Sequence, residues 1–410
     1  MDFRPTEDQA AAAALAARIF TDLSTHERLA AAGTGSDAEL WKALAGAGLV
    51  AAVEEVGLLG LVLLLEEQGR VTAQVPYAAT CVYGAHAIGV HGSDEQRARL
   101  LSELYAGTSV ATGAFPDRGR VRADPLDGPG ADPLADHLAE PRAATAAAEA
   151  PAEDSGPDRR TLAAGSAPAP RARLHGTLPL VPWLRDATHV LVPDTDRALW
   201  LVRTDAPGVR TEAVETTAPW SAGRLELAGA EAERVGSPAA GAEPYRRVLA
   251  AARIAFAGLQ AGVCAGSLAR AVAYTSTREQ FGRPLSTNQA VLLRAADAHM
   301  DTEAIRVTAY EAAWRTDAGL PAGPHALTAA WWAAEAGKRV VHAGQHLHGG
   351  AGADVDHPVH RHFLWGRQLD AHLGGAPELL DELGTVLTAP DPGPFPVHAH
   401  DPARVPEDTA

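Results

Sequence analysis

The feature that most constrains the fold is a run of nearly thirty residues without proline, Val248–Ser276, in which alanine and large apolar side chains predominate. Proline breaks helix interiors and alanine favours them, so the run predicts one continuous helix roughly 40 Å long. Two further long helices are predicted over Asn288–Ala318 and Ala326–Gln345, and a short one over Pro377–Leu387. Such helices bury their apolar faces against each other, so residues 241–390 are expected to form a bundle.

The rest of the chain before this bundle divides in two. Residues 1–112 are expected to form a helical domain, because Thr6 and Gln9 make a capping-box pattern and Ser93-Asp94-Glu95 opens a second, charged helix. Residues 113–240 are expected to hold a small antiparallel β-domain. Its strand candidates are Ala187–Pro193, Ala198–Thr204 and Arg224–Ala228. The predicted class is α+β, mainly α.

Residues 117–172 interrupt the predicted β-domain with a stretch dense in Ala, Pro, Gly, Asp and Arg. Few large apolar side chains occur there, so burial would not offset the entropy of ordering the backbone. We expect a poorly ordered segment, and a partner-docking segment is the alternative. A tail over 391–410, rich in Pro, His and Asp, is expected to fray.

The charge balance narrows the possible partners. Acidic residues number 51 against 35 basic ones, for a formal net charge of −16, which argues against general nucleic-acid binding. The two cysteines, Cys81 and Cys264, lie far apart and favour a reducing compartment. No signal-peptide pattern opens the sequence, and the longest apolar run, Val56–Leu65, is too short to span a bilayer. We therefore expect a cytoplasmic protein without a membrane partner.

Two segments within the predicted bundle have an unusual composition. The first is Arg278–Leu285 with Gln289, where a glycine and a proline separate two long helices. Its arginine and amides beside Phe281 could bind a phosphate and an aromatic ring, although a plain helix corner would also fit. The second is His346–Gly352, whose glycines would permit close backbone approach to a ligand or simply end a helix.

Together these segments resemble the acyl-CoA dehydrogenase family. Its R-x-x-F-G-x-P-L-x-x-x-Q signature is present as Arg278 through Gln289, and its Q-x-x-G-G signature corresponds to His346 through Gly350. The resemblance implies a helical N-terminal domain, a central β-domain and a C-terminal four-helix bundle. It implies FAD as cofactor and an acyl-CoA or other acyl thioester as substrate. The FAD-binding residues it implies are Arg278, Gln280, Phe281, Gly282, Gln289, His346, Gly349 and Gly350.

The resemblance fails where the family carries its catalytic base. The usual glutamate position holds Leu373, and the alternative position, one residue before an arginine on the first bundle helix, holds Ala252. That arginine is Arg253, which the resemblance implies lies beside substrate. Asp370 and Glu378 are possible substitutes, although each is expected on an exposed helical face.

The flavin-ring side also departs from the family. The hydroxyl-bearing string of the central domain is replaced by residues 114–119, and a tryptophan that packs on the flavin would fall near Leu180, with Trp183 close by. Adenine-side signatures are therefore kept while the ring side and base are lost. Heteromeric acyl-CoA dehydrogenases of actinobacterial sterol catabolism divide their site in this way. The strings at His348–Asp356 and Pro358–Leu364 resemble their base-lacking chains in particular.

Three hypotheses follow from this resemblance. The chain completes a FAD site across an interface with a homologous partner, as a heterotetramer; or it is a self-sufficient flavoenzyme, such as a homo-oligomer, with a relocated base; or it is a dehydrogenase-fold protein without flavin, acting as scaffold or in non-redox thioester chemistry. A metal site built from the clustered histidines is disfavoured, because His360 and His362 would point to different faces of a helix.

Overall fold

A computed structural model describes residues 3–116, 119–126 and 169–388. The chain begins with helices and continues into a small sheet and then into long helices, as the sequence predicts. The N-terminal helices are α1 (Glu7–Leu23), α2 (His26–Ala32), α3 (Ala38–Gly46), α4 (Val53–Arg70), α5 (Tyr77–Ala79), α6 (Ala87–His91) and α7 (Asp94–Tyr105), with a π-helical stretch, Thr80–His86, between α5 and α6.

Side-chain caps fix where two of these helices begin. The Thr6 hydroxyl accepts from the Gln9 backbone N–H at 3.2 Å, and the Gln9 side chain accepts from the Thr6 N–H at 3.0 Å. Ser93 and Gln96 repeat the exchange at the start of α7. Each capping box satisfies two backbone donors that a helix leaves unpaired, which confirms both predicted helix starts.

The central sheet has its strands in the order β1-β4-β5-β7-β3-β2, with β6 paired to β7. Its pairs are antiparallel except β1 with β4, which is parallel. The strands are β1 (Ala111–Gly113), β2 (Val121–Pro125), β3 (Arg171–Val181), β4 (His189–Pro193), β5 (Leu199–Arg203), β6 (Val209–Ala213) and β7 (Gly223–Val235).

The prediction that all of residues 117–172 are poorly ordered is wrong at both ends of that stretch. Within 117–172, residues 121–125 form β2 and residues 171–172 open β3, whereas the whole stretch was expected to be poorly ordered. The two strands pair directly, and Pro125 lies opposite Ala172. Backbone hydrogen bonds along this ladder supply the order that the side chains lack. Residues 117–118, 127–168 and 389–410, which include the predicted tail, lie outside the described part of the chain.

The C-terminal helices are α8 (Glu243–Thr277), α9 (Gln289–Asp317), α10 (Gly323–Leu347), α11 (Pro358–His372) and α12 (Ala376–Thr388). The three long helices and the short last one match their predictions to within a few residues. Helix α11 was missed, because its histidine-rich sequence indicated a helix junction. Its first turn holds Pro358, and the His357 ring accepts from the Val359 N–H at 3.2 Å, which together start the helix.

Close packing of α4 on α8 joins the N-terminal helices to the bundle. A Cβ added at Gly262 would come 2.0 Å from the Glu66 carbonyl oxygen, and one at Gly69 would come 2.2 Å from the Leu259 carbonyl oxygen. Glycine is therefore required on both sides of the crossing. Among the described helices, α8 alone is long and apolar enough to cross a bilayer, and 89% of its apolar window is buried inside the protein. It is a core helix.

Candidate functional site

The predicted signature segment forms a hairpin between α8 and α9. Strands β8 (Glu279–Gln280) and β9 (Arg283–Pro284) pair antiparallel, and the connecting residues, Phe281 and Gly282, have φ values of 55° and 73°. Two successive residues with positive φ form the tight turn that matches strand twist. Glycine adopts this conformation freely, but phenylalanine does so under strain, which is typical of a site kept for binding.

The predicted ligand-facing residues of this hairpin are exposed. Phe281 is fully exposed at the tip, and Arg278, Gln280 and Gln289 are also exposed. The Arg278 guanidinium forms no ion pair with any residue in the described ranges. Gln289 opens α9, where Asn288 caps the helix by accepting from the Ala290 N–H at 2.9 Å. A guanidinium, two amides and an aromatic ring thus share one open surface.

The second segment ends α10 in a short 3-10 turn, Gly349–Ala353. Gly349 has a φ of 61°, and a Cβ at Gly349 or Gly350 would meet nothing within 4 Å. The Gln345 amide donates to the Gly352 carbonyl at 3.1 Å and so holds the turn, while the neighbouring His346 is exposed. The backbone of this turn is open to a ligand approaching from outside the chain.

The two segments are in contact at the points where they leave α8 and α10. The ring of Tyr274, one helical turn before Arg278, stacks on the ring of His348, with centroids 4.9 Å apart and planes 22° apart. His348 directly precedes Gly349. The structure therefore brings the hairpin and the glycine turn to the same end of the bundle, as the resemblance implies for a shared site.

Aromatic side chains fill the region around Trp183 and Phe115, where the resemblance implies the flavin-ring side. Phe115 stacks on Tyr83 at 5.1 Å, and Trp183 stacks on Trp220 at 4.3 Å. Phe256 lies between the two pairs, 6.3 Å from Tyr83 and 6.4 Å from Trp183. All five rings are buried. We refer to these five residues as the aromatic core.

Leu373, at the position where the resemblance implies a catalytic glutamate, is buried near this core. Leu373 is 5% exposed, and the ring of the preceding His372 lies 4.6 Å from Phe256. Burial lowers the pKa of His372 to about 4, so the imidazole is neutral near pH 7. A cavity of about 20 Å³, the size of one water molecule, lies beside both residues, and Leu373 also borders an open cleft of about 570 Å³.

Arg253, the predicted substrate contact, is paired within the chain. Its guanidinium donates to both carboxylate oxygens of Glu382 on α12, at 2.8 and 2.6 Å. The pair lines the inner end of an open cleft of about 570 Å³ between α8, α10 and α12. Of the two substitute bases, Glu378 lines the same cleft, and Asp370 forms an ion pair with Arg367 at 3.2 Å.

The aromatic core could not be read from the sequence. Its rings come from the π-helix, the end of β1, the β3–β4 and β6–β7 connections and α8, so no local spacing joins them. Of the clustered histidines, His348 and His357 come together, with ring centroids 5.0 Å apart. His357 caps α11 and both ring nitrogens of His362 face backbone carbonyls, while no group of three His, Cys, Asp or Glu among the described residues is placed to hold a metal.

Sequence comparison decides the family. Two domain models match the chain: the acyl-CoA dehydrogenase N-terminal domain over residues 6–108 and the C-terminal domain over 240–382. Acyl-CoA dehydrogenase FadE27 of Mycobacterium tuberculosis is 35% identical over 373 residues, which cover 86% of this chain and 88% of FadE27. The chain belongs to the acyl-CoA dehydrogenase family. This membership confirms the predicted fold and oxidoreductase class, and FAD is the cofactor of this fold family.

Two solved structures extend the likeness to acyl-CoA dehydrogenases made of two different chains. A chain of a Tcur3481–Tcur3483 steroid ACAD variant is 38% identical, has a TM-score of 0.78 and covers 93% of this chain and 98% of its own. A chain of the ChsE4–ChsE5 complex from Mycobacterium tuberculosis is 31% identical, also with a TM-score of 0.78, and covers 95% of this chain and 99% of its own. The predicted likeness to heteromeric dehydrogenases is confirmed.

The chain's own residues fit only part of FAD. The segments where the resemblance implies the adenine side present an exposed guanidinium, an exposed aromatic ring and an open glycine turn, which suit a pyrophosphate and a flat base. At the side where the resemblance implies the flavin ring, the rings of the aromatic core pack on one another, and the cavity of about 20 Å³ beside Phe256 and Leu373 is far too small for a flavin ring. Leu373 also lines the open cleft of about 570 Å³ next to Arg253.

Proposed function

We propose that this chain completes a FAD site across a subunit interface, in an acyl-CoA dehydrogenase whose partner chain supplies the catalytic base and the flavin-ring pocket. The observation that carries the proposal is the contrast between the chain's two half-sites. The residues suited to the adenine side lie open at the surface, whereas the ring side is packed with aromatic side chains. The open adenine-side half is proposed to bind one end of a FAD molecule whose other end is bound by the partner chain.

The open half-site, formed by the Arg278 hairpin and the Gly349-Gly350 turn, supplies binding rather than chemistry. Arg278 is proposed to donate to the pyrophosphate, with Gln280, Phe281 and Gln289 around the adenine half of FAD. Gly349 and Gly350, in a turn that begins beside His346, let the backbone N–H groups come near the ligand. Bound FAD supplies the hydride acceptor for α,β-dehydrogenation of an acyl thioester.

The packed half supports the view that this chain abstracts no proton itself. Leu373 has no proton acceptor, and the other family position for a base holds Ala252. The neutral His372 is enclosed by Phe256 and Trp220, with ring centroids 4.6 and 5.6 Å away. No reacting carbon can reach it through a cavity of about 20 Å³.

An uncovered apolar stripe on α9 supports a partner on the same face. Leu293, Met300 and Val307 recur every seven residues and are all exposed, so they line one side of the helix. A groove of about 790 Å³ runs between this stripe and α10. Phe281 precedes the stripe in the chain and is exposed as well. We propose a homologous dehydrogenase chain as the partner in a cytoplasmic heterotetramer, in line with the two-chain relatives.

The visible spectrum of the purified protein tests the proposal. We expect a colourless chain when it is expressed alone, and about one FAD for each pair of chains when it is co-expressed with a homologous chain that has an intact base. A yellow chain with one flavin per protomer would contradict the proposal and favour a self-sufficient enzyme. A colourless product with every homologue would favour a flavin-free protein.

Arg278→Ala in the co-expressed complex tests the site itself. Losing a charged hydrogen bond should weaken FAD retention by about 1.5–3 kcal/mol, roughly ten- to more than a hundredfold in the dissociation constant. Arg210→Ala, which removes an exposed arginine from β6, is the matched control and should leave FAD retention unchanged. Equal retention in the two variants would count against Arg278 as a ligand.

A further inference from the structure

Three rings from three helices meet behind the open half-site. Tyr274 of α8 stacks on His348 at the end of α10, at 4.9 Å, and the His348 ring meets the edge of His357 at 5.0 Å, with planes 61° apart. His357 caps α11. None of the three was among the predicted ligand contacts, and His348 is only 3% exposed. The cluster is therefore placed to act through its neighbours rather than on a ligand.

Each end of the Tyr274–His348 contact is fixed to one binding segment. The Tyr274 carbonyl accepts from the Arg278 N–H at 2.8 Å, where α8 ends and the hairpin begins. The His348 Nδ1–H donates to the Gly344 carbonyl at 2.7 Å, so the ring is locked to the last turn of α10. The next residue, Gly349, turns the chain with a positive φ. The contact between the two rings thus joins the start of the hairpin to the start of the glycine turn, at the end of the packed helices α8 and α10.

This spacing matters because the two segments are otherwise exposed. The hairpin residues 278–283 and the turn residues 349–351 all lie at the surface, and neither segment is buried against the other. A ligand that touches both segments binds tightly only if their separation is fixed before it arrives. A stacked ring pair held by a hydrogen bond provides such a fixed separation, whereas two flexible side chains would not.

We infer that His348 is a positioning residue that holds the Arg278 hairpin and the Gly349-Gly350 turn at the spacing a dinucleotide requires. This inference rests on the proposed function for the identity of the ligand. Its mechanical part, the coupling of the two segments through one imidazole, stands on the geometry of this chain.

Hydrogen exchange on the full-length chain tests the coupling without any ligand. In His348→Ala, backbone amides of residues 278–289 should exchange about tenfold faster, although they lie 59 to 70 residues before His348 in sequence. His348→Phe loses the hydrogen bond to the Gly344 carbonyl but keeps a ring stacked on Tyr274. Because the stacking remains, exchange at residues 278–289 should stay within about threefold of wild type. His299→Ala, an exposed substitution on α9, is the control. If His348→Ala speeds exchange only near residue 348, or throughout the bundle, the positioning role is refuted.

FAD retention in the co-expressed complex separates this inference from the proposed function. We expect the FAD dissociation constant to rise about tenfold in His348→Ala and to recover largely in His348→Phe. Loss of FAD in Arg278→Ala with normal FAD in His348→Ala would overturn the positioning role alone. Normal FAD in both variants would overturn the proposed function instead, whatever the exchange data show.

Discussion

The guanidinium of Arg253 and the carboxylate of Glu382 form a two-point ion pair, with N–O distances of 2.8 and 2.6 Å, that joins α8 to α12. The Arg253 side chain is 8% exposed and that of Glu382 is 44% exposed. Arg253, which the resemblance implies lies beside substrate, is therefore engaged by the chain's own last helix. The cleft beside it is bounded on one side by this pair.

Glu382→Gln tests how much this pair contributes to stability. The amide keeps the shape but offers one acceptor where the guanidinium needs two, so the free energy of unfolding should fall by about 1–2 kcal/mol in urea titrations. Glu231→Gln is the matched control, because its pair with Arg171 is half exposed on the sheet and should contribute less than about 0.5 kcal/mol. Equal losses in the two variants would show that the Arg253 pair has no special role.

Glu66→Gln tests the main polar link between α4 and α9. The Glu66 side chain is 6% exposed and accepts from Arg306 at 2.6 and 3.0 Å and from the Tyr310 hydroxyl at 2.8 Å. Removing its charge leaves the half-buried Arg306 guanidinium with the more exposed Glu303 carboxylate as its remaining ion-pair partner, so we expect a loss of about 2–4 kcal/mol in chemical unfolding. Glu303→Gln, at the exposed side of the same arginine, is the control and should lose clearly less. The reverse order would contradict this assignment.

His372 gives the protein a predictable response to acid. Burial lowers its folded-state pKa to about 4, while the unfolded value is about 6.5. Between these values the unfolded chain binds a proton that the folded chain does not, so the free energy of unfolding falls as pH drops from about 6.5 to about 4. Above that window the stabilisation is fully present. Thermal unfolding of His372→Phe across pH 4–7.5 should show a shallower decline than wild type, and parallel curves would refute the burial effect.

Leu373→Glu tests whether a base can be restored. Leu373 is 5% exposed and, with Phe256, lines a cavity of about 20 Å³ that is too small to hydrate a carboxylate, although Leu373 also borders the open cleft of about 570 Å³. We therefore expect a loss of about 3–5 kcal/mol in stability and no dehydrogenase activity from this chain. Leu373→Met, close in volume, should lose less than about 1.5 kcal/mol. A stable, active Leu373→Glu protein would show that this half-site is an open pocket.

Local patterns predicted much of the fold and the turn between the helices that carry the signature segments. The proline-free runs gave α8 and α9, and the order of glycine and proline after Arg278 placed a turn there, because helix continuity and turn conformation depend on neighbouring residues. The strand at 121–125 was missed, since its order comes from pairing with β3. The aromatic core was missed for the same reason, because contacts between Tyr83, Trp183 and Phe256 exist only once distant elements pack.

Residues Leu126 and Arg171 meet at the end of the β2–β3 ladder, where the Leu126 N–H donates to the Arg171 carbonyl at 2.9 Å. Both strands are in register up to that point, so the sheet makes the same hydrogen bonds however long the intervening chain is. The position is therefore a natural splice point. Protein engineers could replace the chain between Leu126 and Arg171 with a tight turn for crystallisation. They could also insert a reporter domain at this position, away from the bundle face that the proposed partner would cover.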